Sequence, residues 1–191
     1  MASGSARGRP RQIDPKQIRD AALSLFMARG FDAVSATEIA EAVGISRSSV
    51  ARFYPTKQQI VWEGQDQIAE RLAQRLAASS EGTIVERVSV AIEQAVDYPP
   101  DELEVLRRRL RLVYDNPQLQ VKRAFGRDPV AAVLAAFIRA ESARALSSDD
   151  LSILSSLVAD ALDVALLLWG RGDSPSPRDE IRSALKFLVF E

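Results

Sequence analysis

The chain is predicted to be all-α, and three observations carry that expectation. Apolar residues recur three and four apart in almost every segment, helix-start signatures stand at intervals along the chain, and strand-like alternation of useful length is missing. The start signatures are Asp14-Pro15, Ser35-x-x-Glu38, Thr83-x-x-Glu86 and Asp128-Pro129. Each offers a side-chain acceptor to open backbone amides, or a proline whose fixed φ suits the first helical turn. No internal repeat is visible. We expect three helices in residues 1–57 and about six in residues 58–191, forming a small N-terminal and a larger C-terminal domain.

In order, Asp14 caps a first helix with Ile18, Ala22, Leu25 and Phe26 as its buried stripe, closed by Gly30. The capping box Ser35-Ala36-Thr37-Glu38 opens a second, with Ile39, Ala40 and Val43 on one face and Gly44 as the turn. Ser46 caps a third, with Val50, Phe53 and Tyr54 inward, and Pro55 stops it because the residue before a proline is pushed out of the helical region. Thr56 then caps a long helix from Lys57 to about Ser79, with Ile60, Val61, Ile68, Leu72 and Leu76 inward. Unbroken, its 22 or so residues make a lever of roughly 33 Å at 1.5 Å per residue. The fifth helix starts at Thr83 and carries Ile84, Val88, Ile92 and Val96, and Tyr98-Pro99-Pro100 breaks the chain. A sixth starts at Asp101, with Leu103, Leu106, Leu110 and Val113, and closes at Asn116-Pro117. A short turn spans Leu119 to Phe125, followed by an alanine-rich helix from Asp128-Pro129 to about Ala145. Ser147 or Ser148 caps the next, which runs to Gly170. Ser176-Pro177 opens the last, with Ile181, Leu185, Leu188 and Val189 inward.

The stretch Val34 to Lys57 is the most informative. Two short helices joined at a glycine, the second presenting Arg47, Ser48, Ser49, Ala51 and Arg52 outward, match a helix-turn-helix: small residues permit close approach to DNA and flanking guanidinium groups read or anchor it. Arg47 and Arg52 are the expected base readers, since bidentate arginine–guanine contact is the commonest specific pairing. Ser35, Thr37, Ser48, Ser49, Phe53, Tyr54 and Lys57 complete the candidate DNA-binding set, with Ser35, Thr37, Ser49, Tyr54 and Lys57 placed for phosphates beside the helix N-termini. Arg9, with Arg7 and Arg11, lies on a basic arm that either enters the minor groove or is a solvated tail.

At these residues the chain resembles the DNA-binding domain of the TetR family of transcriptional regulators. The matching pieces are Ala22 to Phe31, Ser35, Ile39-Ala40, Gly44-Ile45-Ser46 and Arg52-Phe53-Tyr54-Pro55-Thr56-Lys57. Ala51 departs from the family pattern, where an aromatic is frequent, as does Phe53, where Tyr or His is common. The resemblance implies a palindromic double-stranded DNA operator, a homodimer through residues 149–190 and a small-molecule effector. The segment Tyr98 to Gln120 is similar to the effector domain of mycofactocin-type members, which implies an acyl-CoA or related thioester.

Bulk properties set limits. With 191 residues and 47% apolar content the chain can bury a core, and no run of 18 or more apolar residues suggests a membrane span. The nearest, Leu157 to Trp169, is interrupted by Asp160 and Asp163. MASGSARGRPR has no apolar segment, so we expect no secretory signal and a cytoplasmic location. There are no cysteines and no histidines, which removes thiol chemistry, the commonest metal ligand and the commonest general base. No phosphate loop or metal-ligand spacing stands in their place, so no cofactor, metal or enzymatic activity is expected. Residues 1–57 hold 9 Lys/Arg against 5 Asp/Glu, and the remainder 16 against 21. A basic N-terminal third on an acidic body fits a nucleic-acid-facing head.

In the C-terminal domain, Trp62, Leu106, Arg109, Phe125, Phe137 and Trp169 are candidates for lining an effector pocket, with plain core as the alternative for each apolar one. Arg107, Arg108, Arg109 and Arg111 are read either as solvated surface pairing with Glu102 and Glu104, or as effector-phosphate ligands. Asp160 and Asp163 form a polar strip or accept a ligand hydrogen bond. Leu151 to Trp169 is apolar on more than one face, so it lies at the centre of the monomer or at a subunit interface. A helical adaptor that reuses the head for protein contacts is the alternative function.

Overall fold

The computed structural model describes residues 14–124 and 128–186. They form helices α1 (Pro15–Arg29), α2 (Ala36–Val43), α3 (Arg47–Phe53), α4 (Lys57–Val61), α5 (Gln65–Ala78), α6 (Ile84–Ala95), α7 (Pro100–Asp115), α8 (Pro117–Ala124), α9 (Pro129–Glu141), α10 (Ser148–Arg171) and α11 (Arg178–Leu185). No strand occurs among the described residues. The chain divides into two compact units, one ending at Ile60 and one beginning at Val61. The division falls within α4, three residues beyond the boundary expected at residue 57.

The expected caps form. Asp14 accepts from the Lys16 amide, Ser35 from Glu38, Ser46 from Ser49, Thr83 from Glu86 and Asp128 from Val130. Ser147, not Ser148, caps α10, in a reciprocal box with Asp150. One start and one end differ from expectation. Pro100 occupies the first turn of α7 ahead of Asp101, and α9 ends at Glu141, short of Ala145.

The lever is the main correction. Instead of one helix from Lys57 to Ser79, the chain leaves the helix after Val61, turns through Trp62–Gly64 and restarts at Gln65. Gly64 sits at φ 78°, ψ 7°, in the left-handed region that glycine enters without the steric cost of a Cβ. The apolar spacing on either side of Gly64 still fits a helix, so periodicity alone conceals the break.

In the first unit α1 buries Ile18, Ala22, Leu23 and Phe26, and Leu23 takes the place expected of Leu25. Ile39 and Ala40 of α2 and Val50 of α3 are also buried, and the Phe26 and Phe31 rings meet at 5.0 Å between centroids. In the second unit α10 is the central helix, packed against α7, α9 and α11, while α5 packs on α6 and α9. By length and composition alone α10 suits a bilayer span; here it turns Leu151, Val158, Leu162, Leu166 and Trp169 into the core. Gly170 marks where α7 crosses α10: a Cβ there would lie 2.7 Å from the Leu110 Cβ. Only glycine lets these helices approach so closely.

Candidate nucleic-acid interface

The helix-turn-helix is built from α2, the Gly44 turn and α3. Gly44 (φ 73°, ψ 37°) ends α2 in the left-handed conformation, and the Ile45 amide donates to the Ala40 carbonyl at 2.9 Å, closing the helix C-terminus. Ser46 opens α3: its Oγ accepts the Ser49 amide at 3.1 Å and lies 2.9 and 2.8 Å from the Ser48 and Ser49 hydroxyls. Val50 is the buried anchor of α3, while Arg47, Ser48, Ala51 and Arg52 are exposed. The Arg52 guanidinium lies 5.2 Å from the centre of the Phe53 ring, itself half-buried. Phe53, expected among the DNA contacts, therefore acts as a platform that restricts Arg52.

At the entry to α2, the Ser35 amide donates to Glu38 Oε2 at 2.8 Å, and the Glu38 amide to Ser35 Oγ at 3.2 Å. Arg29, not anticipated from the sequence, pairs with the other Glu38 oxygen at 2.7 Å. The backbone and hydroxyl hydrogen bonds from Ser35, then Arg29, hold the Glu38 carboxyl down at about 2. Because this value lies below the ordinary one, the box is intact above about pH 4.5 and is lost as pH falls through about 2. An acid titration following the Ser35 amide by NMR is expected to show a midpoint of about 2; a midpoint at the ordinary carboxylate value would contradict the box. Thr37 is exposed on the first turn of α2.

Two residues expected at phosphates direct their polar tips into the unit. Tyr54 is 8% exposed, and its hydroxyl donates to the Pro15 carbonyl at 3.2 Å, tying the end of α3 to the start of α1. The Lys57 ammonium donates to the carbonyls of Phe31 and Val34 at 2.8 and 2.7 Å and sits 4.7 Å from the centre of the Phe31 ring. Both polar tips are spent inside the unit, on the loop that leads into α2 and on α1. Proximity in sequence to a DNA-facing helix did not reveal this, since the partners lie 26 and 39 positions away. Arg9 lies outside the described residues.

In the second unit the residues expected to line a pocket are core or engaged with neighbouring groups. Trp169 is fully buried, donates from its indole to the Ser174 carbonyl at 2.9 Å and lies under Arg107 at 4.5 Å. Leu106 is core. Phe137 is half-buried beneath the Arg87 guanidinium at 4.7 Å. Trp62 is half-buried in the turn before α5, and Phe125 lies outside the described residues.

The arginine run on α7 is also corrected. Arg108 makes the expected surface pair, with Glu104 at 3.1 Å. Arg107 donates to the Ser174 carbonyl, Arg111 to Gly170 at 3.3 Å and Arg109 to Val61 at 2.8 Å. Arg71 likewise donates to Ala95 and Asp97 at the end of α6, and Arg87 to Ser79 at the end of α5. Half-buried arginines thus satisfy carbonyls at or just past helix C-termini, where a cation also meets the negative end of the helix dipole.

A glycine-turned helix pair with an arginine-bearing second helix, followed by an all-helical second unit, defines a helix-turn-helix DNA-binding class of protein. The sequence profile of the bacterial regulatory proteins of the tetR family matches residues 18–63. The chain is 34% identical over 124 residues to the "Putative mycofactocin biosynthesis transcriptional regulator MftR" of Mycobacterium tuberculosis, a match covering 63% of this chain and 61% of that relative. In structure it is similar to FadR of Thermus thermophilus, a TetR-family transcriptional repressor solved in complex with lauroyl-CoA (TM-score 0.61, 23% identity, covering 92% of this chain and 93% of the other). It is also similar to the fatty acid degradation regulator FadR of Bacillus halodurans (TM-score 0.60, 13% identity, covering 94% and 96%). Residues 18–63 are thus similar to the bacterial regulatory proteins of the tetR family, and the chain spans 61% of the length of the mycobacterial relative it matches.

Proposed function

We propose that the protein is a homodimeric transcriptional repressor that binds a palindromic operator through its two α3 helices and is released by a small apolar or acyl-type effector. The observation that carries this is the outward face of α3, where Arg47 and Arg52 are exposed beside small residues that let the helix enter a major groove. The mycobacterial relative named as a transcriptional regulator supports the same reading. A cytoplasmic location follows from that role. Fluorescence anisotropy on duplex DNA tests it: affinity should fall steeply with salt, whereas salt-insensitive or absent binding would favour the protein-adaptor alternative.

Dimerisation is supported by α10. Its face opposite the core leaves Ile153, Leu157, Val164 and Leu168 between 46% and 59% exposed. Leu157, Val164 and Leu168, with Glu180 and Ala184 of α11, line a groove of about 730 Å³. An exposed apolar stripe of this kind marks an association surface, and a two-fold dimer matches operator palindromy. Val164→Asp is expected to convert a dimer into a monomer in sedimentation at tens of micromolar; an unchanged dimer would place the interface elsewhere.

Lys57 offers a finer test of the head. With its ammonium held by two carbonyls, Lys57→Met is expected to weaken DNA binding while leaving the salt slope of log affinity unchanged. A slope flattened by about one would instead mark a phosphate contact.

The support for an effector comes from the family and from the lauroyl-CoA held by the Thermus relative. Only an effector with different affinity for the DNA-competent and DNA-incompetent states can release the operator.

A further inference from the structure

A cavity of about 250 Å³ lies within the second unit, among α6, the end of α9, α10 and α11. None of the residues expected to line a pocket contributes to it. Its walls include Val85 and Val88 of α6, Ile138 of α9, Leu154 and Val158 of α10 and Leu185 of α11. Every wall residue is isoleucine, leucine or valine except Ser89, Ser142 and their hydroxyls. The Ser142 hydroxyl is already committed to the Arg144 carbonyl at 2.9 Å.

This lining selects its occupant by exclusion. No aromatic ring is present to stack on a planar ligand, and no charged side chain lines the walls to meet a buried ion, whose desolvation would go uncompensated. The volume falls below the usual range for drug-sized ligands, about 300–1,000 Å³. Apolar space of this kind takes up apolar guests.

We propose that this cavity takes up one unbranched aliphatic chain, leaving the polar head of its bearer outside. The inference rests on the effector reading above and deepens it by naming the site and the chemistry it accepts. It also separates chain binding from the α7 arginines, which are engaged with backbone carbonyls.

The test uses the full-length protein and n-alkanols from hexanol to dodecanol, whose neutral heads remove electrostatic differences. Affinity measured by calorimetry should rise about fourfold per added methylene and level off once the cavity is full. Ser89→Phe, which puts a ring into the space, should abolish the length dependence while preserving the melting temperature. In the unsubstituted protein, NOEs from the alkanol chain to methyl groups of Val88, Ile138 and Leu154 should give the same answer independently. Binding without length dependence, equal binding of 2-naphthol, or NOEs confined to other methyls would overturn the proposal. DNA affinity is read in parallel. Chain uptake with DNA affinity unchanged sustains the cavity assignment and removes the effector role. Absence of uptake by a protein that binds DNA removes the cavity assignment and leaves the DNA-binding reading intact.

Discussion

Trp169→Ala is expected to destabilise the second unit by about 3–5 kcal/mol, the usual range for removing a fully buried large aromatic. The side chain has no exposed surface, its indole N–H is satisfied by the Ser174 carbonyl, and the Arg107 guanidinium lies over its ring. Truncation therefore leaves a void against α7 and α11 and removes the platform that steadies Arg107. Set against a total stability of about 5–15 kcal/mol, this is a large share. Urea unfolding should show a lower midpoint at unchanged slope. Trp169→Phe, which keeps most of the volume but loses the hydrogen bond, should cost less. A loss below about 1 kcal/mol for the alanine variant would mean that the site collapses around the void and that Trp169 is not a keystone of the core.

Arg52→Ala should weaken specific DNA binding by about 1–3 kcal/mol, roughly 5- to 150-fold, and relax preference at one base position. The side chain is exposed on α3 and rests against Phe53, which limits the conformations it must give up on docking. Phe53→Ala should therefore weaken binding less than Arg52→Ala does, with base preference retained, because only the platform is lost. Both variants can be compared by anisotropy on matched specific and non-specific duplexes. Equal losses on the two duplexes for Arg52→Ala would make it a phosphate contact, and no loss would remove it from the interface.

Local chemistry made the helix-turn-helix legible in advance. Ser35, Glu38, Gly44, Ser46 and Pro55 act on backbone groups within a few residues, so their meaning can be read from spacing alone. The same holds for Asp14-Pro15, Thr83 with Glu86, and Asp128-Pro129. Polar tips that reach across the fold were not legible. Tyr54 and Lys57 sit where a DNA-facing role fits the sequence, yet their partners are the carbonyls of Pro15, Phe31 and Val34. Arg107, Arg109 and Arg111 look like a solvated or ligand-binding run until the ends of α10 and α4 are placed beside them. The break at Gly64 was hidden because a glycine within a helical pattern is tolerable, and only the tertiary setting decides whether the chain turns there. The aliphatic cavity was invisible for a different reason. Periodicity identifies Ile84 and Val88 as inward-facing, but it carries no information about how completely their neighbours fill the space beside them.

The most direct measurement is selection of bound duplexes from random-sequence DNA by the full-length protein. The predicted result is enrichment of an inverted repeat whose half-site centres lie about 34–36 Å apart, or a multiple of that, with one base position losing its preference when Arg52→Ala is used. Failure to enrich any sequence at low salt, or enrichment unaffected by changes to Arg47 and Arg52, would show that α3 is not a DNA-reading helix.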